Sequence, residues 1–276
     1  MTTMTGQNTA MRPHTMVGQQ LRGWRERRRV SQLDLSLRAG ISARHLSFVE
    51  TGRSRPSSAL ILRLSEELDV PLRDRNALLL AAGFAPAYPE HGLDTPSLGV
   101  VTEAMRQVLA AHMPNPAMAV DGHWELIDAN DALAPLIEGA AADLMEPPVN
   151  VLRLSLHPEG VAPRIANLGQ WRQHVLGRVR RQADRTGDAF LGELFDELRG
   201  HAGDGTGAYD PGPAGADDVV VPLRIRLGGD ELSFLSTTTV FGSPLDITVA
   251  ELAIEPFYPL DRHTAVAMRA LAPAGR

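Results

Sequence analysis

Apolar positions recur every three or four residues over the first third of the chain, the rhythm of helices with one buried face. Val17, Leu21 and Trp24 place a helix over about 16–29. Gln32 opens a short second helix capped by Ser31, with Leu33 and Leu37 on its inner face and small Ser36 where two helices cross closely. Gly40 follows, at the position where a left-handed residue ends a helix and glycine takes that conformation without strain. Ser42 caps a third helix whose Leu46 and Val49 face inward. After the loop GRSRPSS, a fourth helix starts at Ser57 or Ser58 and carries Leu60, Ile61, Leu64 and Leu68; Pro71 begins a fifth that ends at Gly83. These short helices with brief connections predict a compact all-α domain of about 75 residues, large enough to enclose a core.

Beyond AYPEHGLDTPSLG, a Pro- and Gly-rich linker, the rhythm changes. VTEAMRQVLAAHM is a helix with Val101, Met105, Val108 and Leu109 on one face, ended by Pro114. AMAVD and ELIDAN are short strands joined through Asp121-Gly122, and Asn130 or Asp131 caps the helix DALAPLIEGA. Roughly 151–199 is helical, and the Gly-, Asp- and Pro-rich stretch 200–218 is a polar loop. VVVPLRIRL, ELSFLSTTTVF and ITVAELAIEPF read as strands, the first two joined at Gly228-Gly229-Asp230, and DRHTAVAMRAL as a closing helix. Two strands, inserted helices and three strands predict an α+β domain: a five-stranded antiparallel sheet with helices on one side. The segmentation is an arm over 1–15, a helical head over 16–87, a linker over 88–99 and the α+β domain over 100–276.

Charge sharpens this division. Of the net −6, the first 87 residues contribute +6, from 13 Arg against 7 acids, and the remainder −12. A basic head suits a nucleic-acid backbone, and an acidic body projects away from it. Every one of the 27 basic residues is Arg, which with abundant Ala and Gly points to a GC-rich coding genome. The chain has no cysteine, so disulfides and thiolate chemistry are out, and its histidines show no metal-ligand spacing. No Gly-x-Ser-x-Gly elbow or phosphate-loop glycine spacing occurs, so neither an enzyme nor a cofactor is expected. Without an apolar run of about 18 residues or a signal-like start, the expected location is the cytoplasm.

Residues Ser42, Ala43, Arg44, His45 and Ser47 point outward from the third helix, a short polar set of the kind that reads base edges in a major groove. Arg44 and His45 are the foremost base-contact candidates. Arg53 and Arg55, just past that helix, are expected to touch the phosphate backbone. Gln32 either binds a phosphate through its amide at a helix start or simply caps that end. Arg22, Arg25, Arg27, Arg28 and Arg29 line the outside of the first helix, while Glu50 is a structural residue that either holds the helix exit or pairs with a nearby arginine.

The stretch from Leu21 to Phe84, with its Ser-Gln start, Ala-Gly turn and Glu-x-Gly-Arg-x-x-Pro-Ser exit, resembles the Cro/repressor-type (XRE family) helix-turn-helix domain, a lambda-repressor-like five-helix fold. AMAVDGHWELIDANDALAPLI, NVLRLSLHPEG and the Gln-Trp opening the long helix resemble the PAS-like domain of MmyB-type regulators. The chain departs from that family's commonest form over STTTVFGSPLDITVAELAIEPFYP. The resemblance implies a sequence-specific DNA-binding transcriptional regulator. It also implies a pocket for a fatty acid or similar small apolar ligand between sheet and helices. Met118, Leu126, Leu136, Trp171, Phe234 and Phe241 are candidates to line it, and equally to serve as ordinary core. Arg153 either meets a ligand carboxylate with its fork or forms a surface ion pair. Two-fold pairing into a homodimer through the body or the helix 101–113 would match a near-palindromic operator. The alternative for the body is a ligand-free dimerisation or protein-docking module.

Overall fold

The computed structural model describes residues 13–201 and 220–271, with side chains from Met16 onward. Most of the expected arm 1–15 and nearly all of the polar loop 200–218 lie outside the described residues. The chain divides into two compact units, with the division between Pro89 and Glu90.

The first unit is helical throughout: α1 (Pro13–Arg27), α2 (Gln32–Arg38), α3 (Ala43–Glu50), α4 (Ser58–Glu67) and α5 (Leu72–Ala81). Three serines start helices by the same device, a hydroxyl accepting a backbone N–H two or three residues into the first turn. Ser31 accepts from Asp34 at 3.0 Å, Ser42 from His45 at 3.1 Å and Ser57 from Leu60 at 3.2 Å. Gly40 adopts φ +63°, the left-handed turn between α2 and α3. The core gathers Val17, Leu21, Trp24, Leu35, Leu46, Val49, Ile61, Leu64 and Leu79.

Two expectations for this unit are corrected. Leu33 and Leu37 are 59% and 70% exposed, and α2 turns Leu35, Ser36 and Ala39 inward instead. The three leucines of α2 alternate along it, so one set of positions faces away when the other faces in. The crossing at α3 selects the face carrying small Ser36 and Ala39. Arg25, expected on the outside of α1, is buried. Gly18 of α1 also meets α3 closely: a Cβ there would lie 2.2 Å from the Val49 carbonyl oxygen.

The second unit opens with α6 (Gly99–Ala111), β1 (Ala117–Val120), β2 (Leu126–Ala129), α7 (Ala134–Ile137) and α8 (Val151–Leu156). The long α9 (Leu168–Thr186) and α10 (Ala189–Gly200) follow. The chain then runs through β3 (Leu223–Leu227), β4 (Asp230–Ser236), β5 (Thr239–Val240), α11 (Ile247–Glu251), β6 (Ala253–Pro259) and α12 (Arg262–Leu271). The antiparallel sheet has the order β2-β1-β6-β4-β3, with β5 also paired to β6. The last strand thus lies centrally, beside the first.

The described sheet has six strands where five were expected, because the segment read as one strand over 231–241 breaks into β4 and β5. Pro256 explains the break. Its carbonyl accepts from Thr237 N at 3.2 Å, but proline has no N–H to return on that side. The expected strand start at Ile247 is also corrected: Asp246 caps Thr248 N at 2.9 Å and winds Ile247–Glu251 into α11 before β6 begins.

Helices cover both faces of the sheet, not one. Along β1, Met118 and Val120 face the main core with α8, α9 and α10, while Ala117 and Ala119 face Met105 and Leu109 of α6. Small alanines let α6 lie close. Val108, expected on its inner face, is 46% exposed. Within the stretch read as a linker, the Asn76 side chain bonds Ala87 N and Tyr88 N at 2.9 and 3.1 Å in the first unit. His91 bonds Asp246 and Leu93 packs beside Met105 in the second.

Candidate functional site

On α3, Ser42, Arg44 and His45 are exposed, and Ala43 and Ser47 are half-buried, so the expected outward set shares one short helix. Two buried charged groups and a half-buried amide fix that helix against its neighbours. Arg25 of α1 donates Nε to Glu50 Oε1 at 2.7 Å and Nη2 to Oε2 at 3.0 Å. Gln32 of α2 donates Nε2 to the same Oε2 at 2.8 Å. Arg25 also reaches the Val30 carbonyl at 3.0 Å. The hydrogen bond that Arg25 donates to Glu50 raises the Arg25 pKa against the opposing effect of burial. Glu50 therefore has the arginine partner anticipated for it, and Gln32 has its amide bonded inside the unit.

Other arginines satisfy helix ends, where carbonyls lack partners. Arg28 donates to Leu68 O at 2.8 Å and Asp69 O at 2.7 Å, and Arg63 to Ala39 O at 3.1 Å. Arg55 donates to Ala82 O at 3.2 Å with its guanidinium 5.7 Å from the Phe84 ring, so it is turned toward the end of α5. Arg44 and Arg53 behave differently. Both guanidiniums lie over the Phe48 ring, at 5.3 and 5.9 Å from its centroid. Phe48 was not singled out from the sequence, although its place four residues after Arg44 on a helix is the available signal.

In the second unit, Met118, Leu126, Leu136, Trp171 and Phe234 come together in the core between the sheet and α8–α10. Phe241 does not join them; it packs beside Met105 on the opposite face. Phe234 and Phe241 are an odd number of residues apart on what was read as one strand, and successive side chains alternate faces. Arg153 makes a two-pronged ion pair with Glu197, both bonds at 2.8 Å, on a partly exposed surface. The bond with Arg153 lowers the Glu197 pKa and raises that of Arg153.

The core also contains a charged group that sequence reasoning missed. Glu255, central in β6 and only 3% exposed, pairs with Arg178 of α9 and accepts from Thr238 Oγ1 at 3.1 Å. The Arg178 guanidinium lies 4.6 Å from the Trp124 ring, whose Nε1 donates to Gln182 at 2.8 Å. One turn before Arg178, His174 stacks on Trp171 with ring centroids 5.4 Å apart. Desolvation pushes the His174 pKa down to about 4, helped by the charges of Arg178 and Arg181. A lone acid in the apolar run AIEPFYP was the available signal for Glu255. Among the described residues, no cluster of His, Asp and Glu forms a metal site, and no helix is long and apolar enough to cross a membrane.

A helix-turn-helix unit with a polar presented helix, followed by an α+β unit with an apolar interior, defines a DNA-binding transcriptional regulator carrying a ligand-binding domain. The chain belongs to the MmyB-like transcription regulators: the ligand binding domain of that family matches residues 101–271, and a helix-turn-helix family matches residues 21–74. It is also 39% identical over 74 residues to the HTH-type transcriptional regulator RghRB of Bacillus subtilis (strain 168). That match covers 26% of this chain and spans about half, 51%, of the relative's length.

Proposed function

We propose that the chain is a cytoplasmic, sequence-specific regulator that binds its operator as a homodimer, with α3 in the major groove and a small apolar effector such as a fatty acid in the second unit. The observation that carries the DNA reading is the exposed face of α3, held to α1 and α2 by the buried Arg25–Glu50 pair and the Gln32 amide. Arg44 and His45 read base edges, and Ser42, Ala43 and Ser47 make the shorter contacts beside them. Arg53 neutralises a phosphate. Gln32 and Arg55 contact the backbone at the margins of this surface while their internal bonds keep the helix ends in place. No catalytic step belongs to this reading.

One head covers one half-site, and two heads on half-sites about one helical turn apart double the contacts. An effector then changes DNA affinity only by its differential affinity for the two arrangements of the heads. The apolar cluster around Phe234 and Trp171 supports an apolar ligand. A second reading, a ligand-free dimerisation or protein-docking module, is favoured by the same cluster in one respect: its side chains are buried against one another. Native mass spectrometry of the purified chain separates the two. An apolar molecule that co-purifies, or is gained on incubation with fatty acids, supports the ligand reading; neither result supports docking. For the DNA reading, selection from a randomised duplex library should return a near-palindromic sequence. Arg44→Ala should relax preference by about 1–3 kcal/mol at one base position. A library that returns no preferred duplex at any salt concentration would refute the reading.

A further inference from the structure

Phe48 is a half-buried aromatic on the presented helix, whereas Leu46 and Val49 on the inner face are fully buried. Its ring takes the guanidinium of Arg44 from the preceding turn at 5.3 Å and that of Arg53 from the following loop at 5.9 Å. Both distances fall within the range where a cation is attracted to a ring face. Its main chain acts on the same loop. Gly52, at φ +71°, turns the chain back, and the Phe48 carbonyl accepts from Arg53 N at 2.8 Å and Ser54 N at 3.0 Å. Among the described residues neither Arg44 nor Arg53 makes an ion pair, and the adjacent carboxylate of Glu50 is committed to Arg25 and Gln32. One ring thus gathers two positive charges on an exposed face that lacks a free anion of its own.

We propose that Phe48 is a specificity-determining positioning residue: it holds Arg44 for base edges and Arg53 for the backbone at one fixed offset, so that discrimination and clamping are coupled. This rests on the DNA-binding reading above. The physical reason is preorganisation. Arginine has many rotamers, and ordering two of them only at the moment of binding weakens the complex, whereas a ring that already orders both removes that cost. Leucine would fill the inner side of this position but offers no π face to either guanidinium.

The test uses the full chain and the duplex selected by the wild type. Phe48→Leu should weaken that duplex about tenfold while weakening random duplex less, so that the ratio between them narrows. Phe48→Tyr, which keeps the ring, should stay near wild type. In an Arg44→Ala background the leucine change should cost clearly less than in the wild type, because one of the two cations it organises is gone. Thermal unfolding of each variant reports whether the helix survives. Even if Phe48→Leu lowers stability, the tyrosine variant and the double-mutant cycle still decide. Undiminished discrimination in Phe48→Leu, a tyrosine variant as weak as the leucine one, or additive losses in the cycle would overturn the proposal. A wild type that selects no duplex would overturn the DNA reading itself, a different and separately visible result.

Discussion

Replacing Glu50 by glutamine removes one charge from the junction of α1, α2 and α3 with almost no change in volume. The Arg25 side chain is 11% exposed and that of Glu50 1%, so water replaces little of what is lost. The native carboxylate accepts two bonds from Arg25, at 2.7 and 3.0 Å, and one from Gln32 at 2.8 Å. The amide oxygen of glutamine accepts at most part of this set, and its NH2 group meets donors. Leaving one partner of a buried pair uncompensated costs about 3–5 kcal/mol; the surviving amide contact places this change near 3 kcal/mol. For a domain of this size, with a total stability of about 5–15 kcal/mol, that lowers the unfolding midpoint by about 12–24 °C. Hydrogen exchange followed by mass spectrometry on the intact chain isolates the effect, because loss of protection should appear in peptides spanning α1–α3 and not in those spanning α9. Replacing both members with apolar residues, Arg25→Met with Glu50→Leu, should recover most of the loss, since no buried charge is then left alone. A Glu50→Gln cost under about 1 kcal/mol, or a double variant as unstable as the single one, would refute the assignment of this network as the clamp on α3.

Gly18→Ala should destabilise the first unit by about 1–3 kcal/mol although alanine is the better helix former, because the added carbon meets the Val49 carbonyl at 2.2 Å; a thermal midpoint equal to or above wild type would contradict that packing. Arg53→Ala should weaken binding to all duplexes alike and lower the slope of log affinity against log salt by about one, read by titration at several salt concentrations; a loss confined to one sequence would count against a phosphate role. His174, held near pKa 4, stays neutral in the folded chain while the unfolded chain takes up a proton below about pH 6.5. Stability is therefore complete above that pH and falls as pH drops from about 6.5 toward about 4, by about 2 kcal/mol after allowance for partial exposure. Denaturant unfolding at a series of pH values should show this slope reduced in His174→Gln, and an unchanged slope would show that His174 is not the group responsible.

Local signals made the helical head legible. Ser31, Ser42 and Ser57 announce helix starts because a hydroxyl satisfies a nearby N–H with no help from the rest of the fold. Gly40 and the Gly228-Gly229 pair announce turns because positive φ is cheap only for residues without a side chain; the hairpin glycines adopt +58° and +94°. The outward placement of Arg44 and His45 followed from Leu46 and Val49 facing in. The failures lie where two solutions were locally equal. Alternating leucines on α2 offered two faces, and contact with α3 decided between them. Arg25 and Arg28 read alike as outer charges of the first helix and Arg55 as a phosphate contact, yet each reaches an acceptor 5 to 41 residues away in the chain.

What the chain determines by itself is what depends on neighbours within a few residues: helix starts and ends, the tight hairpin, and the set of side chains on each helix face. Which face points inward, which arginine is a clamp and which stays exposed beside Phe48, and which side of the sheet receives Phe241 were decided only in three dimensions. Burial and charge pairing join residues distant in sequence, and their free energies exist only once those residues are brought within a few ångströms.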